Sequence, residues 1–259
     1  MIAPVHLLRT VSATRYVTPL REGGSLPGLV EADDDWMYVV KFRAAGQGLK
    51  ALVAEVIVGL LGQAAGLPVP ELVLVELDAA IGRTEPDPEI NELVTRSAGL
   101  NLGVDFLPGA LDYSPALPGT ADPAFASEVV WFDALTTNVD RTARNPNLLV
   151  WHHRTWLIDH GSALYRHHAD RDLAARATEP FPLIAEHVLL PVADGLRAAG
   201  ERLAARLGSD EIERALAAVP DEWFGEQPDA ARGGYLTYLE RRLRAHHQFT
   251  EEAIAVRGA

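Results

Sequence analysis

The first part of the chain alternates between β-forming runs and long apolar helical patterns. Runs rich in β-branched residues and bounded by glycine and proline are typical of strands, and a sustained apolar stretch that stops at Gly66 before Pro68 indicates a helix. A turn at 21–28 separates the first two strands, and the last strand is expected to break at Pro108 and Gly109. The predicted strands are 5–20, 36–42, 70–78 and 101–110, and the predicted helices are 49–66 and 87–99.

The pattern changes after about residue 107. Residues 111–123 are rich in proline and indicate a connection, whereas 124–138 have apolar residues at helical spacing. Two short strand patterns then surround the triplet His-His-Arg at 152–154, and from residue 171 onward the pattern is almost entirely helical. Because strands cluster first and helices follow, we expect an α+β chain with a β-rich lobe at 1–107 and a mostly helical lobe at 108–259.

Composition narrows the classes of function. The 259 residues contain no cysteine, which excludes disulfide scaffolds, cysteine-based zinc sites and thiol catalysis. The net charge of −13 argues against binding to nucleic acid, which needs a basic surface. The N-terminus lacks the pattern of a signal peptide, and no apolar run reaches the length of about 18 residues that a membrane span needs. We therefore expect a cytoplasmic protein without nucleic-acid or membrane partners.

The lysines are few and placed close together. Lysine and arginine total 23, but the only lysines are Lys41 and Lys50. Lys41 stands among apolar residues on a predicted strand, where a buried ammonium needs a partner. The following helix offers Glu55, the only acid in a long apolar stretch. A strand lysine paired with a helix glutamate is the arrangement with which kinases position the phosphates of ATP.

The strongest chemical signal is the segment NVDRTARNPNLLVWHHRTWLIDHGSA. It contains a hairpin pattern, and a turn centred near His153 would place Asn147 opposite Asp159 and Asn145 opposite Gly161. The loop that carries the asparagines and the carboxylate of Asp159 are therefore expected at the same end of one hairpin.

Asp140 lies just before this hairpin, in the loop after a predicted helix. Asp140, Asn145 and Asp159 can then converge, and oxygen ligands of this kind suit Mg²⁺. The spacing matches the phosphoryl-transfer pattern of a catalytic aspartate, a metal-binding asparagine five residues later and a D-x-G aspartate. This predicts Asp140 as the catalytic residue that accepts a hydroxyl proton, and Asn145 and Asp159 as metal ligands. Asn147 is an alternative to Asn145.

Two further segments lie where nucleotide contacts are expected. Gly23, Gly24 and Ser25 precede the lysine strand by one strand length, so their backbone could cover phosphates. The backbone groups of Asp105 and Leu107, at the junction of the two lobes, could hold the edge of an adenine ring. A plain hairpin turn and a plain linker are the alternatives for these two segments.

Several segments of this sequence resemble HipA-like kinases, a group in the phosphatidylinositol 3/4-kinase-like branch of the kinase fold. The resemblance covers roughly residues 20–165, and its segments are VVKFRAAGQGLKALVAEVIVGLLGQAAGLPVPE, LNLGVDFLPGA, TNVDRTARNPNLL and IDHGSAL. It implies a bilobal protein-kinase-like fold, ATP and Mg²⁺ as the co-substrate and metal, and transfer to a Ser/Thr-type hydroxyl. It also implies that Lys41 contacts the ATP phosphates.

The resemblance leaves the acceptor and the partners open. The histidine of an H-R-D catalytic loop is absent, since Asn138 and Val139 stand before Asp140, and no A-P-E motif follows the D-x-G segment. A protein kinase of the HipA-like type is the main hypothesis, with an unknown protein or small molecule as acceptor and a possible protein partner. The alternatives are a small-molecule kinase of the antibiotic, sugar or lipid type, and a nucleotide-binding regulatory subunit without catalysis.

Overall fold

The computed structural model describes residues 8–20, 26–46, 48–114, 122–169 and 172–258. The β-rich lobe is a five-stranded closed barrel with the strand order β1-β2-β3-β5-β4. The barrel closes because β1 pairs in parallel with β4, with Thr10 opposite Leu74, while its other strand pairs are antiparallel. Its strands are β1 (Thr10–Pro19), β2 (Gly28–Ala32), β3 (Met37–Lys41), β4 (Leu72–Leu77) and β5 (Gly99–Asp105).

The barrel contains its own apolar core. Alternate residues of β3 point inward, so Tyr38 and Val40 are buried with Val73 and Val75 of β4. Strand β2 was not predicted, because its short sequence offers little alternation and its extended form is stabilised by pairing with β1 and β3. At its start, a Cβ on Gly28 would lie 2.5 Å from the Tyr16 ring, so a larger residue would have to displace that buried ring.

Helix α1 (Gly48–Ala65) follows β3 and confirms the prediction of a long apolar helix. The sequence was expected to contain no segment fit to span a membrane, yet among the described residues this helix is long and apolar enough, with a mean hydropathy of 1.5. Most of the helix is buried inside the protein, 67% of the window, and a core helix passes the same test. Its apolar side chains belong to the larger core, which also contains the helices of the second lobe.

Helix α2 (Pro88–Arg96) begins where Asp87 caps it, since the Asp87 carboxylate accepts a hydrogen bond of 3.0 Å from the backbone N–H of Glu89. The helix is shorter than the predicted 87–99. Gly99, with a φ of +102°, leaves the helical region and already begins β5. The strand therefore starts two residues before the predicted 101.

The second lobe starts after β5 and is built around one central helix. Helix α3 (Pro123–Thr136) is buried over most of its length and carries Trp131 and Phe132 into the core. The lobe also contains a three-stranded sheet in the order β6-β7-β8, whose first strand precedes α3 in the chain and whose other two strands follow it. These strands are β6 (Leu111–Asp112), β7 (Leu148–Trp151) and β8 (Arg154–Leu157).

The hairpin of β7 and β8 differs from the prediction by one residue. Leu148 lies opposite Leu157 and Trp151 opposite Arg154, so the turn consists of His152 and His153 instead of being centred on His153. Both histidines have positive φ, +48° and +61°, as a two-residue hairpin turn of the right twist requires. The expected pairing of Asn147 with Asp159 was therefore wrong.

In the described structure, Asn147 instead accepts a hydrogen bond of 3.1 Å at its carbonyl from the N–H of Ile158.

The rest of the chain is helical, as predicted, but its first part consists of short 3₁₀ turns. These turns are found between residues 165 and 192. The α-helices that follow are α4 (Leu196–Ala204), α5 (Ser209–Ala217), α6 (Pro228–Arg244) and α7 (His246–Arg257). Helix α1 contacts α5, so the second lobe holds the helix that carries Glu55.

Candidate active site

Lys41 ends β3 and lies between two carboxylates. Its Nζ contacts the carboxylate of Glu55 and donates a hydrogen bond of 2.7 Å to Oδ1 of Asp159. The side chains of Lys41 and Glu55 are 12% and 2% exposed, so the ion pair expected from the sequence is formed and is largely shielded from water. Strand β3 and helix α1 bring Lys41 and Glu55 together, and the second lobe supplies Asp159.

The second oxygen of Glu55 is also used. It accepts a hydrogen bond of 2.9 Å from the backbone N–H of His160, the residue after Asp159. Glu55 thus holds both the lysine and the D-x-G turn. Burial raises the pKa of Glu55 to about 7, although Lys41 opposes the rise. Burial also disfavours the charge on Asp159, but Lys41 and the neighbouring Glu55 together outweigh burial and hold the pKa of Asp159 well below its ordinary value.

Asp140 lies in the loop that follows α3, and two asparagines hold its carboxylate. Nδ2 of Asn145 donates a hydrogen bond of 2.8 Å to Oδ2 of Asp140. Nδ2 of Asn147 lies 3.1 Å from the Asp140 carbonyl oxygen and 3.4 Å from Oδ2. The backbone N–H of Asp140 donates to the side-chain oxygen of Asn138 at 3.1 Å. These bonds fix the rotamer of the carboxylate.

The electrostatic environment connects Asp140 with Asp159. Burial raises the pKa of Asp140, and the negative charge of Asp159 raises it further against the hydrogen bonds from Asn147 and Asn145. The two carboxylates are therefore close enough to influence each other. Asp159 has a φ of +55°, a left-handed conformation that is uncommon for a residue other than glycine and that often occurs at functional sites.

The side-chain oxygens of this candidate active site suit a divalent cation. The carboxylates of Asp140 and Asp159 and the amide oxygen of Asn145 are hard ligands, and Mg²⁺ prefers one or two such protein groups beside phosphate oxygens and water. The contact between Asn145 and Asp140 uses the amide nitrogen, so the amide oxygen is left to serve as a ligand. The residues present therefore fit the ion.

The segment between the lobes is only in part free for a nucleotide. The N–H of Asp105 donates to the carbonyl of Glu71 at 2.8 Å, and the carbonyl of Leu107 accepts from the N–H of Ala110 at 3.1 Å. Among the described residues, no hydrogen bond is formed by the N–H of Leu107. An adenine contact at this segment would therefore use the Leu107 N–H. Gly23, Gly24 and Ser25 lie outside the described residues.

Sequence reasoning missed one acidic residue of this region, Asp133 in α3. It is fully buried and forms an ion pair with Arg141, the neighbour of Asp140. The sequence contained a usable signal, because Asp133 stands between the apolar residues Phe132 and Ala134 of a mostly apolar helix, where a carboxylate needs a partner.

The sequence from residue 14 to residue 250 matches the family described as HipA-like kinase. The chain belongs to the HipA-like kinase family. This confirms the resemblance seen in the sequence, and it makes the protein a kinase-like phosphotransferase. A search of curated proteins finds no match.

Solved structures similar to this HipA-like kinase are distant in sequence. The crystal structure of the Helicobacter pylori proinflammatory kinase CtkA has a TM-score of 0.57 at 14% identity and covers 88% of this chain and 94% of its own. The Golgi casein kinase with Mn/ADP bound has a TM-score of 0.49 at 12% identity, with coverages of 95% and 73%. The match to CtkA shows the fold, and it confirms the predicted protein-kinase-like α+β architecture with a barrel lobe and a helical lobe.

Proposed function

We propose that this HipA-like kinase transfers the γ-phosphate of ATP, with Mg²⁺, to the hydroxyl of a serine or threonine in a protein. The observation that carries the proposal is that two sets of hydrogen-bonded polar side chains lie close together at the junction of the lobes. Asp140 with Asn145 lies on one side, and Asp159 with Lys41 and Glu55 on the other. This is the set of side chains that phosphoryl transfer requires. Membership of the family supports a Ser/Thr hydroxyl as the acceptor.

Each side chain has a task that follows from its contacts. Lys41, fixed by Glu55, binds phosphate oxygens of ATP, and Asn145 and Asp159 would hold Mg²⁺, which neutralises charge on the phosphates when bound. Asp140 accepts the proton of the acceptor hydroxyl. The hydroxyl oxygen forms a bond to the γ-phosphorus, and the bond between the γ-phosphorus and the β-phosphate oxygen breaks. ADP leaves with the electron pair of that bond. The raised pKa of Asp140 makes it a better proton acceptor than an exposed aspartate.

Two further segments are assigned to the nucleotide in this proposal. Gly23, Gly24 and Ser25 would cover the phosphates, and the backbone at Asp105 and Leu107 would contact the adenine. The proposed protein acts in the cytoplasm on a protein acceptor, without a membrane partner, and its net charge of −13 argues against nucleic acid as a partner.

The test is transfer of labelled phosphate from γ-labelled ATP. The purified protein is incubated with Mg²⁺ alone, with a mixture of Ser/Thr peptides, and with a panel of aminoglycosides, sugars and lipids. We expect label on protein or peptide, and we expect Asp140→Ala and Asp159→Ala to abolish it. Asp194→Ala is the matched control, since Asp194 is an exposed aspartate of the same lobe.

Label on a small molecule alone would replace the protein acceptor by a small-molecule acceptor. ATP binding without any transfer would favour the regulatory subunit. A stabilisation by ATP and Mg²⁺ in thermal unfolding, absent in Lys41→Ala, would show binding at this site independently of transfer.

A further inference from the structure

Arg141, the residue after Asp140, is fully buried and reaches both halves of the site. Its Nη1 donates to the carbonyl of Asn147 and, at 3.3 Å, to the carbonyl of Ile158. Its Nη2 lies 3.4 Å from Nδ1 of His160. Asn147 holds Asp140, whereas Ile158 and His160 are the residues on either side of Asp159. One guanidinium therefore contacts the backbone on the Asp140 side and on the Asp159 side.

A buried charge of this kind needs an anchor, and Asp133 of α3 provides it. Nε of Arg141 donates to Oδ2 of Asp133. The same carboxylate accepts from Nδ2 of Asn138 at 3.2 Å and pairs with Nε2 of His187 at 2.9 Å. The carboxylate is thus surrounded by donors on a rigid helix, which fixes the position of the guanidinium.

The protonation of His187 follows from its neighbours. Nδ1 of His187 accepts a hydrogen bond of 3.0 Å from the N–H of Leu189, so the ring proton lies on Nε2 and points at Asp133. Burial lowers the pKa of His187, and the nearby Arg141 lowers it further, while Asp133 opposes the shift. The histidine is therefore a neutral donor, and Arg141 is the cation that balances Asp133.

We propose that Arg141, anchored by Asp133, is a positioning residue that sets the separation of the Asp140 and Asp159 carboxylates. The inference rests on the proposed function of this site, because it assigns to those two carboxylates the tasks of proton acceptor and metal ligand. Neither Arg141 nor Asp133 contacts the substrate in this proposal. They act through Asn147, Ile158 and His160.

A lysine cannot replace the guanidinium in this task. The planar fork of arginine donates in several fixed directions at once, whereas an ammonium is a single point with flexible donors. Arg141→Lys keeps the buried charge and the ion pair with Asp133, but it loses the simultaneous contacts to Asn147 and Ile158. The two carboxylates would then be free to shift relative to each other, and a misplacement of about 1 Å can lower a rate by about 10²-fold.

The test compares Arg141→Lys with Arg242→Lys. Arg242 is a matched control because it is equally buried and donates to three backbone carbonyls, those of Ala134, Leu135 and Ala177. Both variants are expected to lower the melting temperature. Only Arg141→Lys is expected to lower kcat for phosphoryl transfer, by about 10²-fold, with little change in the KM for the acceptor.

A second readout does not depend on turnover. The affinity for ATP is measured by calorimetry with and without Mn²⁺ or Mg²⁺. We expect Arg141→Lys to lose most of the gain in affinity that the metal gives, and Arg242→Lys to keep it. Asp133→Asn should behave as Arg141→Lys does, and the double variant should lose no more than either single one, because the two residues act as one unit.

Equal kcat and equal metal-dependent affinity in the two lysine variants would overturn the inference and reduce Arg141 to a structural residue. If the wild-type protein transfers no phosphate to any acceptor, the proposed function fails, and the metal-dependent binding of ATP still decides the role of Arg141.

Discussion

At the scale of single residues, the two lysines of this arginine-rich chain lie at positions with defined contacts. The sequence uses arginine almost everywhere, and both of its lysines make defined contacts. Lys41 lies between Glu55 and Asp159, and Lys50 donates to the carbonyl of His167 at 2.6 Å. Burial lowers the pKa of Lys41, but the two carboxylates outweigh this and raise it, so the ammonium is charged. One compact ammonium therefore contacts both carboxylates at once.

Lys41→Arg is expected to reduce kcat/KM for ATP by at least about tenfold, because the larger planar group cannot keep both carboxylate contacts and still face the phosphates. Steady-state kinetics at varied ATP concentration measures the effect. Lys50→Arg serves as control, since a contact to one carbonyl oxygen is within reach of arginine, and it should stay within about twofold of wild type. Equal losses in the two variants would contradict the special role of Lys41.

The pKa of Asp140 leads to a prediction on pH dependence. As a proton acceptor, Asp140 must be ionised, so kcat/KM falls as the pH drops through its pKa, which lies above the ordinary aspartate value. Asn147 donates to the Asp140 carboxylate and thereby favours its ionised form. Asn147→Gly removes this donor and keeps the left-handed φ of +49°. The acidic limb of the pH profile should move to higher pH. A limb that stays in place or moves to lower pH would be inconsistent with Asp140 as the base.

At the scale of elements, the β7–β8 hairpin shows how a turn sets the geometry of a site. The turn residues His152 and His153 both adopt positive φ, and the strand register follows from this two-residue turn. That register brings the ends of the hairpin, at Asn147 and Ile158, within reach of the Arg141 guanidinium. A shift by one residue would reverse the face on which every side chain of the strand lies.

The positive φ of His153 leads to a prediction about stability, which tests the turn that sets the register. His153→Gly should be more stable than His153→Ala by about 1 kcal/mol, because a left-handed conformation costs an L-residue roughly 1–2 kcal/mol. Both variants remove the same imidazole, so their difference isolates the backbone effect. Chemical denaturation at neutral pH measures the free energy of unfolding of both. If the alanine variant equals or exceeds the glycine variant, residue 153 does not have positive φ.

At the scale of the whole molecule, helix α1 joins the two lobes. Its apolar side chains lie in the same core as those of α3 and the C-terminal helices, whereas the barrel has a separate core. Polar contacts also link the two lobes. Arg206 donates to the Ala65 carbonyl at 2.7 Å, and Arg43 pairs with Glu222 at 2.8 Å. Glu55 is therefore placed by the second lobe although it precedes that lobe in the chain.

Helix α1 and the barrel residues Leu72, Leu74 and Leu102 belong to the same core as the second-lobe helices, so the two lobes should unfold together. Leu61 of α1 is 1% exposed, and Leu61→Ala is expected to destabilise the protein by about 2–5 kcal/mol. Differential scanning calorimetry should show a single transition in wild type and in the variant, shifted to lower temperature in the latter. A transition that splits into two on mutation would show that the barrel lobe unfolds independently.

The sequence by itself predicted most of the elements and the family, and it singled out polar residues that the structure brings into contact, Lys41 with Glu55 and Asp159, and Asp140 with Asn145. Periodicity marked α1 and α3, and the spacing from Asp140 through Asn145 to Asp159 and the lone Glu55 marked the chemistry, because these signals are local or depend on residue type alone. Only the tertiary structure decided the hairpin register, the existence of β2 and the links among Asp133, Arg141 and His187. Those features depend on turn geometry and on contacts between residues far apart in the chain, which local patterns do not contain.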